Sequence, residues 1–178
     1  MTDRFPADPP SPFVVTAATT LLTQSPMPRR ALDVAMGRGR HALALAGMGW
    51  RVFGIDAHLG AIRTAMDRAA AEGLVIRPWC ADLAVTPLPL AAFELVVVTR
   101  YLQRDLFDSI RRALVPNGVV VYETFTVNQR AFGVGPTSPD HLLQPGELRA
   151  RFDGFDVLSY EEIVSTEAVA RLVARRPG

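Results

Sequence analysis

No lysine occurs in this 178-residue sequence; all 19 basic residues are arginine. The tyrosine–lysine spacing of a nicotinamide-dependent reductase is therefore missing. Cysteine is nearly as scarce: Cys80 stands alone, so no intramolecular disulfide can form, and it reads as a small apolar filler at a strand end. The three histidines, His41, His58 and His141, are scattered without paired ligand spacing, so no metal site is expected. A reducing, cytoplasmic setting fits. Charge of one sign is also lacking. The 19 arginines face 18 acidic residues, and a net charge of +1 gives no field to steer the chain onto nucleic acid or a charged membrane. Long apolar runs are missing too: the longest uncharged stretch, residues 13–28, carries four threonines, a serine, a glutamine and two prolines. A bilayer span needs about 20 mostly apolar residues, so neither an export nor a membrane segment is expected.

What is present suits one sizeable core, because 49% of the residues are apolar and the length is that of a single domain. Residues 1–28 read as a proline-rich arm and a docking helix over 13–22 that Pro26 and Pro28 stop; residues 29–178 read as one domain. From Ala31 onward apolar runs alternate with helical stretches. Strands are expected at 31–36, 51–55, 74–79 and 93–99, with helices at 40–47 and 59–72, which implies crossovers and a parallel sheet. Leu95 to Val98 is apolar on both faces, as a central strand covered by helices requires. A helix at 105–114 follows, then a turn at Pro116, Asn117 and Gly118 into a fifth strand at 119–122. A short helix at 145–152 precedes two strands, 155–163 and 169–174, close enough for an antiparallel hairpin. Residues 126–143 show no periodicity and are long for a plain connection, which predicts a functional lid or a disordered loop.

The segment Ala31-Leu32-Asp33-Val34-Ala35-Met36-Gly37-Arg38-Gly39-Arg40-His41-Ala42 carries the chemistry. A strand ends in glycines that permit a tight turn, and a helix begins at once, so its amides form a polar cradle. Gly37, Gly39 and Ala42 loosely satisfy a dinucleotide fingerprint, with Asp56 at the end of the next strand, 17 positions after Gly39. A nicotinamide enzyme stays open on that pattern alone. Asp33 shifts the balance, because a carboxylate inside the strand needs polar partners: loop amides or a cationic ligand group such as an ammonium. Asp82, just past the third strand, suits an adenine amino group. Asp33, Asp56 and Asp82 would converge on one crevice at the strand carboxyl ends.

Asp33-x-x-x-Gly37-x-Gly39 with Asp56 and Asp82 resembles the class I S-adenosylmethionine-dependent methyltransferases. Gly37-Arg38-Gly39-Arg40-His41-Ala42-Leu43, Tyr122-Glu123-Thr124-Phe125-Thr126 and residues 139–148 are similar to a bacterial branch of the tellurite-resistance type. The resemblance covers residues 31–178. It implies a doubly wound, Rossmann-like α/β fold with a seven-stranded sheet, mostly parallel with a C-terminal antiparallel hairpin. It also implies S-adenosylmethionine as cofactor, S-adenosylhomocysteine as product and a small-molecule methyl acceptor. Gly37 and Gly39 would pack under the cofactor, with Asp33 and Arg38 at its methionine end. Asp56 would accept both ribose hydroxyls with Ala57 beside it, and Asp82 the adenine amino group with Leu83 against the ring. Thr99 to Leu102 would border the sulfonium and the acceptor. Where many members carry Gly-Cys or Gly-Ser, this chain has Ala35-Met36, and Met36 is expected to narrow or reshape the turn.

Three side chains are candidates for removing a proton from the acceptor: Tyr101, Glu123 and His141. His41 and His58 read as helix-start residues, His41 on the surface or behind the site. A protein that binds an adenosyl ligand without catalysis is the competing reading.

Overall fold

Alternate residues of the central strands enter two different cores, which is why those strands are apolar throughout. In this computed structural model, which describes residues 9–24 and 29–178, Leu95 and Val97 face one core while Val96 and Val98 face the other, all fully buried. They belong to β4 (Phe93–Thr99), flanked by β1 (Arg30–Val34) and β5 (Leu114–Phe125). With β2 (Arg51–Asp56), β3 (Ile76–Cys80), β6 (Asp156–Val164) and β7 (Ala168–Arg175), the strand order is β3-β2-β1-β4-β5-β7-β6. The first five strands run parallel, and β7 is antiparallel to both β5 and β6. The predicted seven-stranded, doubly wound sheet with its terminal hairpin is therefore the fold of the chain.

Helices α1 (Pro12–Gln24), α2 (Arg40–Gly47) and α3 (Leu59–Ala71) cover one face, through Val14, Ala18, Leu43, Leu45, Ala65 and Ala69. On the other face, α4 (Phe107–Ala113) and α5 (Glu147–Arg151) pack an aromatic cluster. There Phe107 stacks on Tyr122 with ring centroids 5.5 Å apart, and Phe152 meets Phe107 edge-on at 5.8 Å. The predicted docking helix thus lies against α2; the arm before it, residues 1–8, and Pro26 and Pro28 fall outside the described residues.

Three local readings change. Ala35 and Met36 leave the first strand and form the turn after it. The helix expected at 105–114 divides into a 3-10 turn, Arg104–Leu106, and α4. Pro116, Asn117 and Gly118 do not separate a helix from a strand but form a bulge inside β5. Leu114 pairs with Phe93 and Val119 with Leu95, so five steps of β5 accompany two of β4. Asn117 takes φ 64°, as expected of a turn residue, and its N–H donates to the Arg176 carbonyl at 3.1 Å.

Residues 126–143 are neither disordered nor regular. Two 3-10 turns, Val127–Phe132 and Pro139–His141, fold the segment, and Thr126 bridges Leu143 at its neck. Buried Gln129 accepts a hydrogen bond from the Ala168 N–H at 2.7 Å and donates to the Val134 carbonyl at 3.0 Å. Arg104 donates to the carbonyls of Asp140 and Leu142 at 3.1 and 3.0 Å and to both Glu147 carboxylate oxygens.

Candidate functional site

The strand order reverses between β1 and β4, and a crevice opens where the carboxyl ends of β1 to β4 diverge around that point. Its volume is about 270 Å³, and it is lined by Ala35 after β1, Asp56 to His58 after β2, Asp82 and Leu83 after β3, and Thr99 to Tyr101 at the end of β4. Asp56, Ala57, Asp82, Leu83, Thr99 and Tyr101 are thereby brought together as expected, and Ala35, His58 and Arg100 join them.

The loop after β1 is shaped from below. Ala35 turns the chain at φ 54°, a region that costs an L residue roughly 1–2 kcal/mol and explains why glycine is usual there. Met36 supports the turn from beneath: it is buried under the loop, with its sulfur 2.1 Å from where a side chain on Gly54 would begin. Gly39 (φ 78°) is equally constrained, because a Cβ there would stand 2.8 Å from the Ala65 Cβ. Three amides of this loop are already taken. The Gly37 N–H donates to Asp56 Oδ2 at 2.8 Å, Gly39 to the Met36 carbonyl at 2.9 Å and Ala42 to Asp33 Oδ2 at 3.0 Å. An incoming pyrophosphate would find carboxylates where a dinucleotide site offers free donors, so the loop does not suit a nicotinamide dinucleotide.

Asp33 is 1% exposed and sits behind the loop rather than on the crevice. Burial raises its carboxyl to about 7, against the Ala42 amide and the charge of Arg40, which favour ionisation. Asp56 differs, because it lines the crevice. Its oxygens accept one backbone N–H each, Gly37 on Oδ2 and His58 on Oδ1, both at 2.8 Å, and a carboxylate has about four acceptor positions. The His58 ring Nδ1 also lies 3.3 Å from Oδ1, which leaves Oδ2 with a position for a ligand hydroxyl. Asp82 is exposed and holds its own turn through the Ala84 N–H at 2.8 Å. Asp56 and Asp82 give the crevice a negative lining that suits a cationic ligand.

Arg100 takes φ 51° at the end of β4, donates its N–H to the Glu123 carbonyl at 2.8 Å and reaches Glu167 at 3.4 Å. Tyr101 lies next to it, its hydroxyl 2.5 Å from Gln103 Oε1. Burial, aided by the charges of Asp82, Asp105 and Asp56, raises its hydroxyl above the ordinary tyrosine value. It stays protonated at neutral pH.

The other two proton-removal candidates are elsewhere. Buried Glu123 faces Arg171 across the β5–β7 pairing, and the two form an ion pair at 2.5 Å. His141 is exposed on the second 3-10 turn and does not line the crevice. Gly37, Gly39 and Arg38 lie in the loop beside the crevice without lining it; the Arg38 carbonyl accepts from Arg68 at 3.1 Å. Cys80 is exposed rather than a core filler, its thiol 3.5 Å from the Ala57 carbonyl. Two residues carry more than their sequence positions suggest. His41, read as a surface or supporting residue, is 2% exposed and bonded to Thr99. Arg104 had no role and proves to be the hub of the 126–143 loop; only its partners in the fold reveal it. Among the described residues no group of three His, Cys, Asp or Glu could hold a metal, and no helix is long and apolar enough to cross a membrane.

Fold and crevice together define a doubly wound α/β domain with an acidic crevice at the β1/β4 switch point. Residues 31–118, just under half of the chain, match the family described as a methyltransferase domain. Similar solved structures extend the likeness over nearly the whole chain. One, described by the conversion of a disulfide bond into a thioacetal group during echinomycin biosynthesis, is 23% identical with a TM-score of 0.72, over 95% of this chain and 82% of that one. TehB from Haemophilus influenzae is 19% identical with a TM-score of 0.71, over 92% of this chain and 61% of its own. An S-adenosylmethionine-dependent methyltransferase from Mesorhizobium loti is 21% identical with a TM-score of 0.66, over 92% of this chain and all of that one (100%). No curated protein matches the chain.

Proposed function

We propose that the chain transfers the methyl group of S-adenosylmethionine to a small-molecule acceptor by in-line displacement. One observation carries the reading: Asp56 and Asp82 stand at the ends of adjacent strands in one crevice, the first with an acceptor position to spare on Oδ2. Asp56 would hold a ribose hydroxyl beside Ala57, and Asp82 the adenine amino group with Leu83 against the ring. Asp33, Gly37, Arg38 and Gly39 would shape the methionine end. The bound cofactor supplies a sulfonium methyl whose leaving group needs no activation, so the residues lower the barrier by alignment and by excluding water.

Tyr101, Glu123 and His141 are the proposed positions for proton removal, and their surroundings favour an acceptor that needs none. Tyr101 is protonated, Glu123 is paired with Arg171 and His141 stands off the crevice. A thiolate or another soft anion, as in the tellurite-resistance branch, fits these groups better than a hydroxyl. The net charge of +1 supports a small acceptor over a nucleic acid, and the lone, exposed Cys80 suits a reducing, cytoplasmic setting.

Calorimetric titration with S-adenosylmethionine, S-adenosylhomocysteine and NADH tests the reading. Binding of both adenosyl ligands near micromolar, roughly −8 kcal/mol, without an NADH response is expected. NADH binding alone, or silence from all three, overturns it. Methyl transfer to thiols or chalcogen oxyanions in preference to alcohols then tests the acceptor class.

A further inference from the structure

His41 is the second residue of α2, and both of its ring nitrogens are engaged inside the protein. Nε2 accepts a hydrogen bond from the Ser11 backbone N–H at 3.0 Å, so Nε2 carries no proton. The ring is therefore neutral with its hydrogen on Nδ1, and that hydrogen is directed to Thr99 Oγ1 at 3.1 Å. This fixes the polarity of the chain of bonds. A backbone amide cannot accept, so the imidazole must, and the Thr99 oxygen in turn receives. The hydroxyl's own hydrogen remains for a partner on the far side.

Thr99 lines the crevice and extends β4 by one residue beyond Val98, which pairs with Val34, so it stands beside Ala35 and the glycine loop. Among the described residues no other hydrogen-bonding partner of the Thr99 hydroxyl is found. We propose that His41 is a positioning residue that sets the Thr99 hydroxyl as a one-way donor into the crevice, addressed to the carboxylate of the cofactor's amino-acid end. The inference rests on the cofactor reading above. The negative lining near Asp56 and Asp82 suits a carboxylate poorly. A neutral donor at the loop-side end suits it well: the hydroxyl hydrogen can be given only to an acceptor, which the ligand's carboxylate is and its ammonium is not. The same ring joins this donor to Ser11, which immediately precedes α1, so the N-terminal helix takes part in holding the site.

The two ring nitrogens can be separated by substitution. In His41→Asn the amide nitrogen falls near the Nδ1 position and keeps a donor for Thr99, whereas His41→Gln reaches toward Nε2 and keeps an acceptor for Ser11. Thr99→Val removes the hydroxyl at constant shape, and Thr99→Ser keeps it. The probes are S-adenosylhomocysteine and 5′-methylthioadenosine, which share the adenosyl group and differ in the amino-acid end. Calorimetry with the full chain is expected to show Thr99→Val and His41→Gln binding S-adenosylhomocysteine about tenfold more weakly, with methylthioadenosine affinity held within about twofold. Thr99→Ser and His41→Asn are expected to stay near the wild type on both. Equal losses on the two probes, or no loss in Thr99→Val, overturn the proposal while leaving the cofactor reading intact. If the unaltered protein binds neither probe, the cofactor reading falls and this one with it.

Discussion

The two halves of the sheet house their carboxylates in opposite ways. At the carboxyl ends of β1 to β3, Asp33, Asp56 and Asp82 accept backbone N–H groups from Ala42, Gly37, His58 and Ala84, whereas the arginine pair of this half, Arg30 with Glu94, lies at the opposite end of β1. Around β5 to β7, the acids meet arginine: Glu123 and Glu161 on Arg171, Glu147 on Arg104 and Arg151, Glu167 on Arg100. An amide fixes a carboxylate without cancelling its charge, so the group stays an acceptor with a net negative field. A guanidinium cancels the charge and occupies the oxygens in pairs. The first half is thus left chemically open toward a cationic ligand, and the second half is spent on holding strands and the 126–143 loop together. Glu147 illustrates the second kind. Burial pushes its carboxyl up, but hydrogen bonds from Arg104, the Gln144 amide and Arg151 outweigh that and hold it below the ordinary value.

Substitutions that exchange these roles should break the contrast, beginning with the largest effect. Arg171→Ala strands Glu123 in the core and is expected to cost about 3 kcal/mol in denaturant unfolding. Affinity for S-adenosylhomocysteine in the protein that remains folded should stay within about twofold. Asp56→Ala should do the reverse, lowering that affinity by roughly 30-fold, about 2 kcal/mol, with a smaller change in stability; preserved binding would remove Asp56 from the site.

Asp33 makes the comparison depend on pH. Its carboxyl is raised from 3.8 to about 7 in the folded protein, so the folded state keeps a proton that the unfolded chain releases. The associated stability is complete below about 3.8 and is lost as the pH rises through about 7. Asp33→Asn can still accept from Ala42 and should gain about 1–2 kcal/mol at pH 8 and nothing at pH 4, read as Tm against pH. A parallel displacement of the two curves would show that Asp33 does not titrate in this range. The smallest effect is expected from Ala35→Gly, which relieves the left-handed backbone at φ 54°. A gain of about 0.5–1 kcal/mol, or a rise of roughly 1–4 °C in Tm, should appear.

The parallel half was the more legible in the sequence. Its strands are short apolar runs, and the acids at their ends mark the crevice by position alone, because parallel strands all end on the same side. Polar organisation was opaque. Nothing in residues 126–143 repeats, and the loop is ordered largely by contacts 35 or more positions apart, as in Arg104 with Pro139 and Gln129 with Ala168. Glu123 looks like an available base until the β5–β7 register sets it opposite Arg171. His41 shares a helix face with Leu45, the position four residues on, which is the one local sign that its ring is buried. Pro116-Asn117-Gly118 carries sound turn chemistry, but strand pairing resumes on both sides of it, a tertiary outcome that local propensity does not contain.

Met36 ties two distant stretches of the chain into one heritable unit. Its sulfur occupies the volume that any side chain at position 54 would claim. Gly54→Ala should therefore be rejected by itself and accepted once Met36 is shortened to cysteine or serine, as in the relatives' Gly-Cys and Gly-Ser turns. Position 54 is thus free to change only in a background where position 36 has already been shortened.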